Sequence, residues 1–181
     1  MRLDPATTLL AVIDVQERLL AAIPAADRVV ARCGRLAQAA ALLDVRRVLT
    51  EQYPQGLGPP PAALAGRICA PATTLSVSCC GCVPFAAALS PDVVSVVLAG
   101  LETHVCVAQT ALDLLTRGLA VFVAVDAVAS RHDLDHEVAL RRLEGAGAVP
   151  TTTEAVLFEW CRSAEHPRFR EVQALVRDRP R

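Results

Sequence analysis

Three short runs of almost unbroken apolar residues constrain this chain more than any other feature: TLLAVI ahead of Asp14, VVSVVLA at Val93–Ala99 and LAVFVAV at Leu119–Val125. A strand with one solvated face alternates apolar and polar residues. A strand that is apolar throughout has to be covered on both faces, the situation in a parallel sheet flanked by helices. The segments between the runs fit this. Ala25–Leu43 carries apolar residues at helical spacing with Arg28, Arg32 and Arg35 on the opposite side. His104–Arg117 is an amphipathic helix closed by Gly118. The expected fold is α/β: a three-layer α/β/α sandwich around a central, mostly parallel sheet, formed by one domain over residues 1–181.

The other elements follow from local signals. VRRVLT at Val45–Thr50 reads as the second strand, and the Gly and Pro content of Glu51–Pro61 makes that stretch a loop. Across Arg67–Val77, Pro71 predicts a short strand followed by a loop. Helices are expected at Val83–Leu89, Leu134–Glu144, Thr152–Trp160 and Pro167–Val176, with a short last strand at Ala148–Val149 and Asp126 closing the Leu119–Val125 strand.

Charge and composition exclude several classes of function. A formal net charge of -1 gives no basic surface with which to neutralise phosphates, so no nucleic-acid partner is expected. No apolar stretch approaches the ~20 residues that span a bilayer, and MRLDPATTLLAVIDV does not read as a secretory signal. The expectation is a cytoplasmic protein with no membrane partner. The chain has seven cysteines. Cys79, Cys80 and Cys82 in SVSCCGCV stand too close together for a disulfide framework, and Cys33, Cys69 and Cys161 offer no second pair at zinc-ligand spacing, so free thiols and no metal are expected. All eighteen basic residues are arginine, which excludes any mechanism that needs a lysine.

In open parallel sheets, ligands bind beyond the carboxyl ends of the strands. Asp14, the Glu51–Gly58 loop, Thr73–Ser78 and Gly100–Cys106 occupy such ends. Cys106 opens the helix in LETHVCVAQTALDLL, where free backbone N–H groups and the helix dipole favour a thiolate and so a lowered pKa. Packing between helix and sheet is the alternative, since free Cys is commonly buried. Asp14 is either a turn residue or a general base for the thiol. His104, two residues from Cys106, does not face it on a helix.

Four segments in order, LAVIDVQERLL, LTEQYPQGLGP, AGLETHVCVAQTALDLLTRGLAVFVAVDAVASR and TTTEAVLFEWCRSAEHPRFREVQALV, resemble the isochorismatase-like cysteine hydrolases, most closely those with a T-E-Q-Y-P loop. The resemblance covers nearly the whole chain. It implies an Asp–Lys–Cys site at the carboxyl ends of the strands, a small-molecule substrate, homo-oligomers and no cofactor. Asp14 in I-D-V-Q takes the place of the base and Cys106 in E-T-H-V-C-V that of the nucleophile. The resemblance places a cis peptide at Leu101–Glu102 and an oxyanion hole at the backbone N–H groups of Glu102 and Cys106. Gln16, Gln52, Tyr53 and Thr103 fall where the substrate pocket is walled. The metal-binding nicotinamidase branch carries histidine where this chain reads TEQYPQGLGP, so no catalytic metal is implied.

The lysine of the family's E-K-T-x-F-S segment falls on Thr74 when that segment is laid on Thr73–Ser78. Three functions are compatible with this. One is a hydrolase of small amides, ureides, esters or vinyl ethers working through Asp14 and Cys106. Another is a catalytically impaired relative that binds a small molecule or a protein. The third is a thiol-redox or interaction protein using Cys106 and the CCGC cluster.

Overall fold

The computed structural model describes residues 2–68 and 72–177. Six strands form one parallel sheet: β1 Thr8–Ile13, β2 Arg46–Gln52, β3 Ala72–Thr74, β4 Ser95–Leu101, β5 Ala120–Ala129 and β6 Val149–Thr151, in the spatial order β3-β2-β1-β4-β5-β6. In chain order the helices are α1 Glu17–Leu20, α2 Ala26–Leu42, α3 Pro54–Leu57, α4 Ala62–Ala65, α5 Val83–Ala88, α6 Ala108–Thr116, α7 Asp133–Gly145, α8 Thr153–Cys161 and α9 Phe169–Arg177. Among the described residues no helix is long and apolar enough to cross a membrane.

The pleat of the fully buried β1 divides the core. Leu10 and Val12 join Val29, Cys33 and Leu36 of α2, Val156 and Trp160 of α8 and Val172 of α9. Leu9, Ala11 and Ile13 join Phe85 of α5, Ala108 and Leu114 of α6 and Leu143 of α7. Both faces of the strand are spent on packing, which is why its sequence shows no alternation.

Gly100 sets β4 against the backbone of β1 with no room for a side chain. Its φ is +111°, and a Cβ there would stand 2.0 Å from the Ile13 carbonyl oxygen, so only glycine fits. The pairing of β4 with β5 slips at the same level: the two steps from Leu98 to Gly100 face five on β5, from Val123 to Val128. The slip reverses the parity of β5, so that Phe122 and Ala124, then Ala127 and Ala129, all enter the α2 side of the core.

Three expectations are corrected. Asp126 does not end a strand, because β5 runs on to Ala129 through the slip. There the Asp126 carboxylate accepts the N–H and hydroxyl of Thr153 at 2.7 and 3.0 Å, fixing the start of α8, and pairs with Arg32 at 3.3 Å. Arg35 is buried rather than on a solvated side of α2. The strand expected within Arg67–Val77 lies after Pro71, at Ala72–Thr74, while Arg67 and Ile68 form a turn and bend. Residues 69–71, including the free thiol expected at Cys69, lie outside the described residues.

Candidate active site

The strand order reverses between β1 and β4, since β1 continues to β2 on one side and β4 to β5 on the other. Such a switch opens a crevice at the carboxyl ends of the two strands, and it is there that β1 delivers Asp14 and β4 delivers Glu102. Asp14 turns out of β1 with φ 47°, a left-handed conformation that Asp tolerates. The Leu101–Glu102 peptide is cis. The chain then enters a π-helical turn, Thr103–Val107, whose first carbonyl, that of Glu102, accepts the N–H groups of Val105 and Val107 on either side of Cys106.

Thr50, the last fully buried residue of β2, ties the site together. Its hydroxyl donates to Asp14 Oδ1 at 2.6 Å, accepts the Asp14 N–H at 3.2 Å and is 3.6 Å from Cys79 Sγ. The Cys79 N–H is held in turn by the Thr110 hydroxyl at 3.0 Å. Asp14 has no exposed surface, and its second oxygen, Oδ2, has no hydrogen-bond partner. The Cys106 thiol interacts with this carboxyl, and each group alters the proton affinity of the other.

Burial, the largest influence, raises the pKa of Asp14, with a smaller contribution in the same direction from Glu51; only the neutral Thr50 hydroxyl and Cys106 thiol oppose it. Cys106 is pushed up by burial and then by Asp14, with Cys79 and Glu102 adding to the effect. Burial likewise pushes Cys79 up to about 12. The lowered thiol pKa expected from the start of a helix is therefore corrected: desolvation and the neighbouring acids push it up. Among the described residues every charged group acting on Asp14 or Cys106 is acidic. No arginine stands in for the lysine there. Arg131 is committed to Glu102 through two charge-assisted bonds at 3.0 and 2.8 Å, and Arg117 reaches the Cys80 carbonyl.

The register of β3 moves the lysine question. Thr74 is the partner of Gln52, and its hydroxyl accepts the Ser76 N–H at 2.9 Å. The β3 residue beside Thr50, and so beside the partner of Asp14, is the buried Ala72. Laying E-K-T-x-F-S two residues earlier matches Thr73 and Ser76 and puts the lysine position on Ala72 as well. Thr74 therefore lies one pleat further along β3 than the residue beside Thr50.

Other residues expected at the site have different uses. The buried side chain of Gln16 donates to the carbonyls of Gln52 at 3.1 Å and Gly58 at 2.7 Å and accepts the Gln52 N–H at 2.9 Å. That amide is spent on holding the T-E-Q-Y-P loop. Tyr53 starts α3 with φ 39°, is 53% exposed and lies over Gly56, where an added Cβ would be 2.1 Å from its ring. Thr103 shares a 2.9 Å hydrogen bond with His136, and His104 turns to Ser130 at 2.9 Å, away from Cys106. Sequence reasoning missed Thr50 and Cys79 as site residues. Thr50 had one usable signal, a polar residue directly after the apolar pair Val48 and Leu49 near the carboxyl end of its strand. Among the described residues no three His, Cys, Asp or Glu side chains are grouped to hold a metal.

Asp14 carries a stability cost that can be measured. A carboxyl whose folded pKa lies above its unfolded value destabilises the native state as pH rises between the two values, and the loss persists above both. Asp14→Asn keeps an acceptor for Thr50 and suits positive φ. It is expected to stabilise the protein at pH 7 by about 1–3 kcal/mol, read at roughly 2–4 °C of Tm per kcal/mol. The gain should shrink towards zero near pH 4. Equal Tm values for both proteins at pH 7 would show that the carboxyl is not penalised.

Comparison with known proteins agrees with the fold and extends it. Residues 8–155 match the Isochorismatase domain. Isochorismatase domain-containing protein 2 of Bos taurus is 41% identical over 177 residues, covering 98% of this chain and 86% of its own. The structure called MAR1 ribonuclease from Caenorhabditis elegans superposes with a TM-score of 0.92 at 38% identity, covering 100% of this chain and 95% of that one. The YcaC gene product of Escherichia coli, described as an octameric hydrolase of unknown specificity, has a TM-score of 0.81 at 25% identity, covering 97% and 87%. With matches of this extent, the chain belongs to the isochorismatase family.

Proposed function

We propose that the protein is a cysteine hydrolase of small amides, ureides, esters or vinyl ethers, with Cys106 as nucleophile and Asp14 as general base. The observation that carries this is the buried, unpartnered Oδ2 of Asp14 on a carboxyl that interacts with the Cys106 thiol. Oδ1 already accepts the Thr50 proton, so Oδ2 is the oxygen left to receive the thiol's. For an amide, the sulfur attacks the carbonyl carbon while its proton passes to Oδ2. The oxyanion is met by the backbone N–H groups of Glu102 and Cys106. Collapse expels the amine with the proton from Asp14, leaving a thioester on Cys106. Asp14 then takes a proton from water, whose oxygen displaces the thiol and releases the acid. Gln52, Tyr53 and Thr103 wall the pocket in this reading, with Gln16 behind them. Assembly of several copies belongs to the same proposal and rests on the octamer named for the E. coli relative.

RNA cleavage, which the name of the C. elegans relative would suggest, is disfavoured by charge: a phosphodiester would approach Cys106 near Asp14 and Glu51, neither of which has a counter-ion among the described residues. A second reading, a relative that binds without turnover, is favoured by the raised thiol pKa and the acidic surroundings of Cys106. The two separate in one experiment. The purified protein is offered a panel of amides, esters and vinyl ethers, with mass spectrometry of the quenched reaction. The hydrolase reading expects turnover and an acyl group on the Cys106 peptide. No turnover and no adduct across the panel leaves the binding reading.

A further inference from the structure

A site that has kept its acids and lost its cation favours a ligand that brings the cation with it. The surroundings of Cys106 and Asp14 contain three carboxyl groups. Glu102 is neutralised by Arg131. Asp14 and Glu51 have no counter-ion: Glu51 is half-buried at the end of β2 and, among the described residues, neither makes an ion pair. The second observation is independent of charge counting. Asp14 Oδ2 is fully buried and accepts from nothing, although a carboxylate oxygen takes up to two hydrogen bonds and a buried one without a donor is costly. On β3 the residue beside Thr50 is the small, apolar Ala72, which supplies no donor.

We propose that the substrate carries its own positive charge: a small amide or ester with a protonated amine within a few atoms of the reacting carbonyl, its ammonium docking against Asp14 Oδ2. This rests on the hydrolase reading and narrows it. The ammonium does for the duration of the reaction what a fixed lysine does permanently. It favours the Asp14 carboxylate and the Cys106 thiolate, so the thiol is activated only when substrate is present. A neutral or anionic analogue of the same size leaves Cys106 a protonated, unreactive thiol.

Charge selectivity at Cys106 tests this without requiring turnover. The whole protein is treated with 2-aminoethyl, 2-hydroxyethyl or 2-sulfonatoethyl methanethiosulfonate. In each case the thiolate sulfur forms a disulfide with the reagent's alkylthio sulfur and releases methanesulfinate. Rates are followed on the Cys106 peptide by mass spectrometry and divided by the rate of the same reagent with 2-mercaptoethanol. The cationic reagent is expected to outpace the anionic one at least tenfold after this correction, and Ala72→Lys is expected to invert the order. A corrected ratio below ten in the native protein, or no labelling of Cys106 by any reagent, overturns the proposal. Failure of the hydrolase reading appears differently, as a preserved charge ratio with no turnover of either amine-bearing or neutral esters.

Discussion

Cys106→Ala is expected to lower kcat/KM on any substrate found in the panel by at least about 10⁴-fold. Removing a nucleophile leaves only binding and oxyanion stabilisation, and single losses of this kind cost about as much as losing the whole catalytic group. The substitution deletes one buried sulfur atom where Cys106 packs with Ile13, Cys79 and Val107, so the fold is expected to survive with a small loss of Tm. Cys79→Ala is the informative control. Its thiol lies against Thr50 and its pKa is about 12, so removing it is expected to change kcat/KM less than tenfold. If Cys106→Ala keeps more than a tenth of the activity, or Cys79→Ala loses as much as Cys106→Ala does, the nucleophile has been misassigned.

Ala72→Lys is expected to raise kcat/KM on neutral esters by about a thousandfold, while Thr74→Lys leaves it within tenfold. A cation about 4 Å from Asp14 at an effective dielectric of about 20 is worth roughly 4 kcal/mol, about three decades in rate. The two variants differ only in which pleat of β3 carries the charge: Ala72 pairs with Thr50, the partner of Asp14, and Thr74 pairs with Gln52. Alkylation of Cys106 by iodoacetamide at pH 7 should rise in the same variant, because a nearby ammonium offsets the acids that hold the thiol protonated. A gain in Thr74→Lys with none in Ala72→Lys would reject the register argument. No gain in either would mean that the missing cation does not limit the rate.

These two expectations show which parts of the site could be read from the sequence. The apolar runs revealed β1, β4 and most of β5, because strands buried on both faces announce themselves locally. The carboxyl ends of β1 and β4 then marked Asp14 and the segment before Cys106. Ala72 was not legible: it matters only because it pairs with Thr50, and pairing across a sheet leaves no trace in local composition. Thr50 is of the same kind, since its importance comes from the atoms its hydroxyl meets. Gln16 looked like a pocket residue because its position fits, but its donors are consumed by carbonyls 36 and 42 residues away. The state of Cys106 was misjudged for a different reason. The start of a helix is visible in sequence, whereas the depth of burial and the carboxyl beside the thiol are not. Asp126 was read as a strand end because nothing local signals that β5 slips against β4 and continues.

The Gln16 bracket has an evolutionary consequence. The rim bearing Gln52 and Tyr53 is moored at Gln52 and Gly58 by one buried amide that belongs to the residue leading into α1, not to the loop's own side chains. Between those two moorings the outward side chain of Gln55 can change what the rim offers a ligand while its seat on the sheet stays fixed, whereas Gly56 has no room for a Cβ beneath the Tyr53 ring. A lineage built this way varies its rim through outward side chains such as Gln55 at little folding cost, whereas a change at Gln16 loosens both moorings at once.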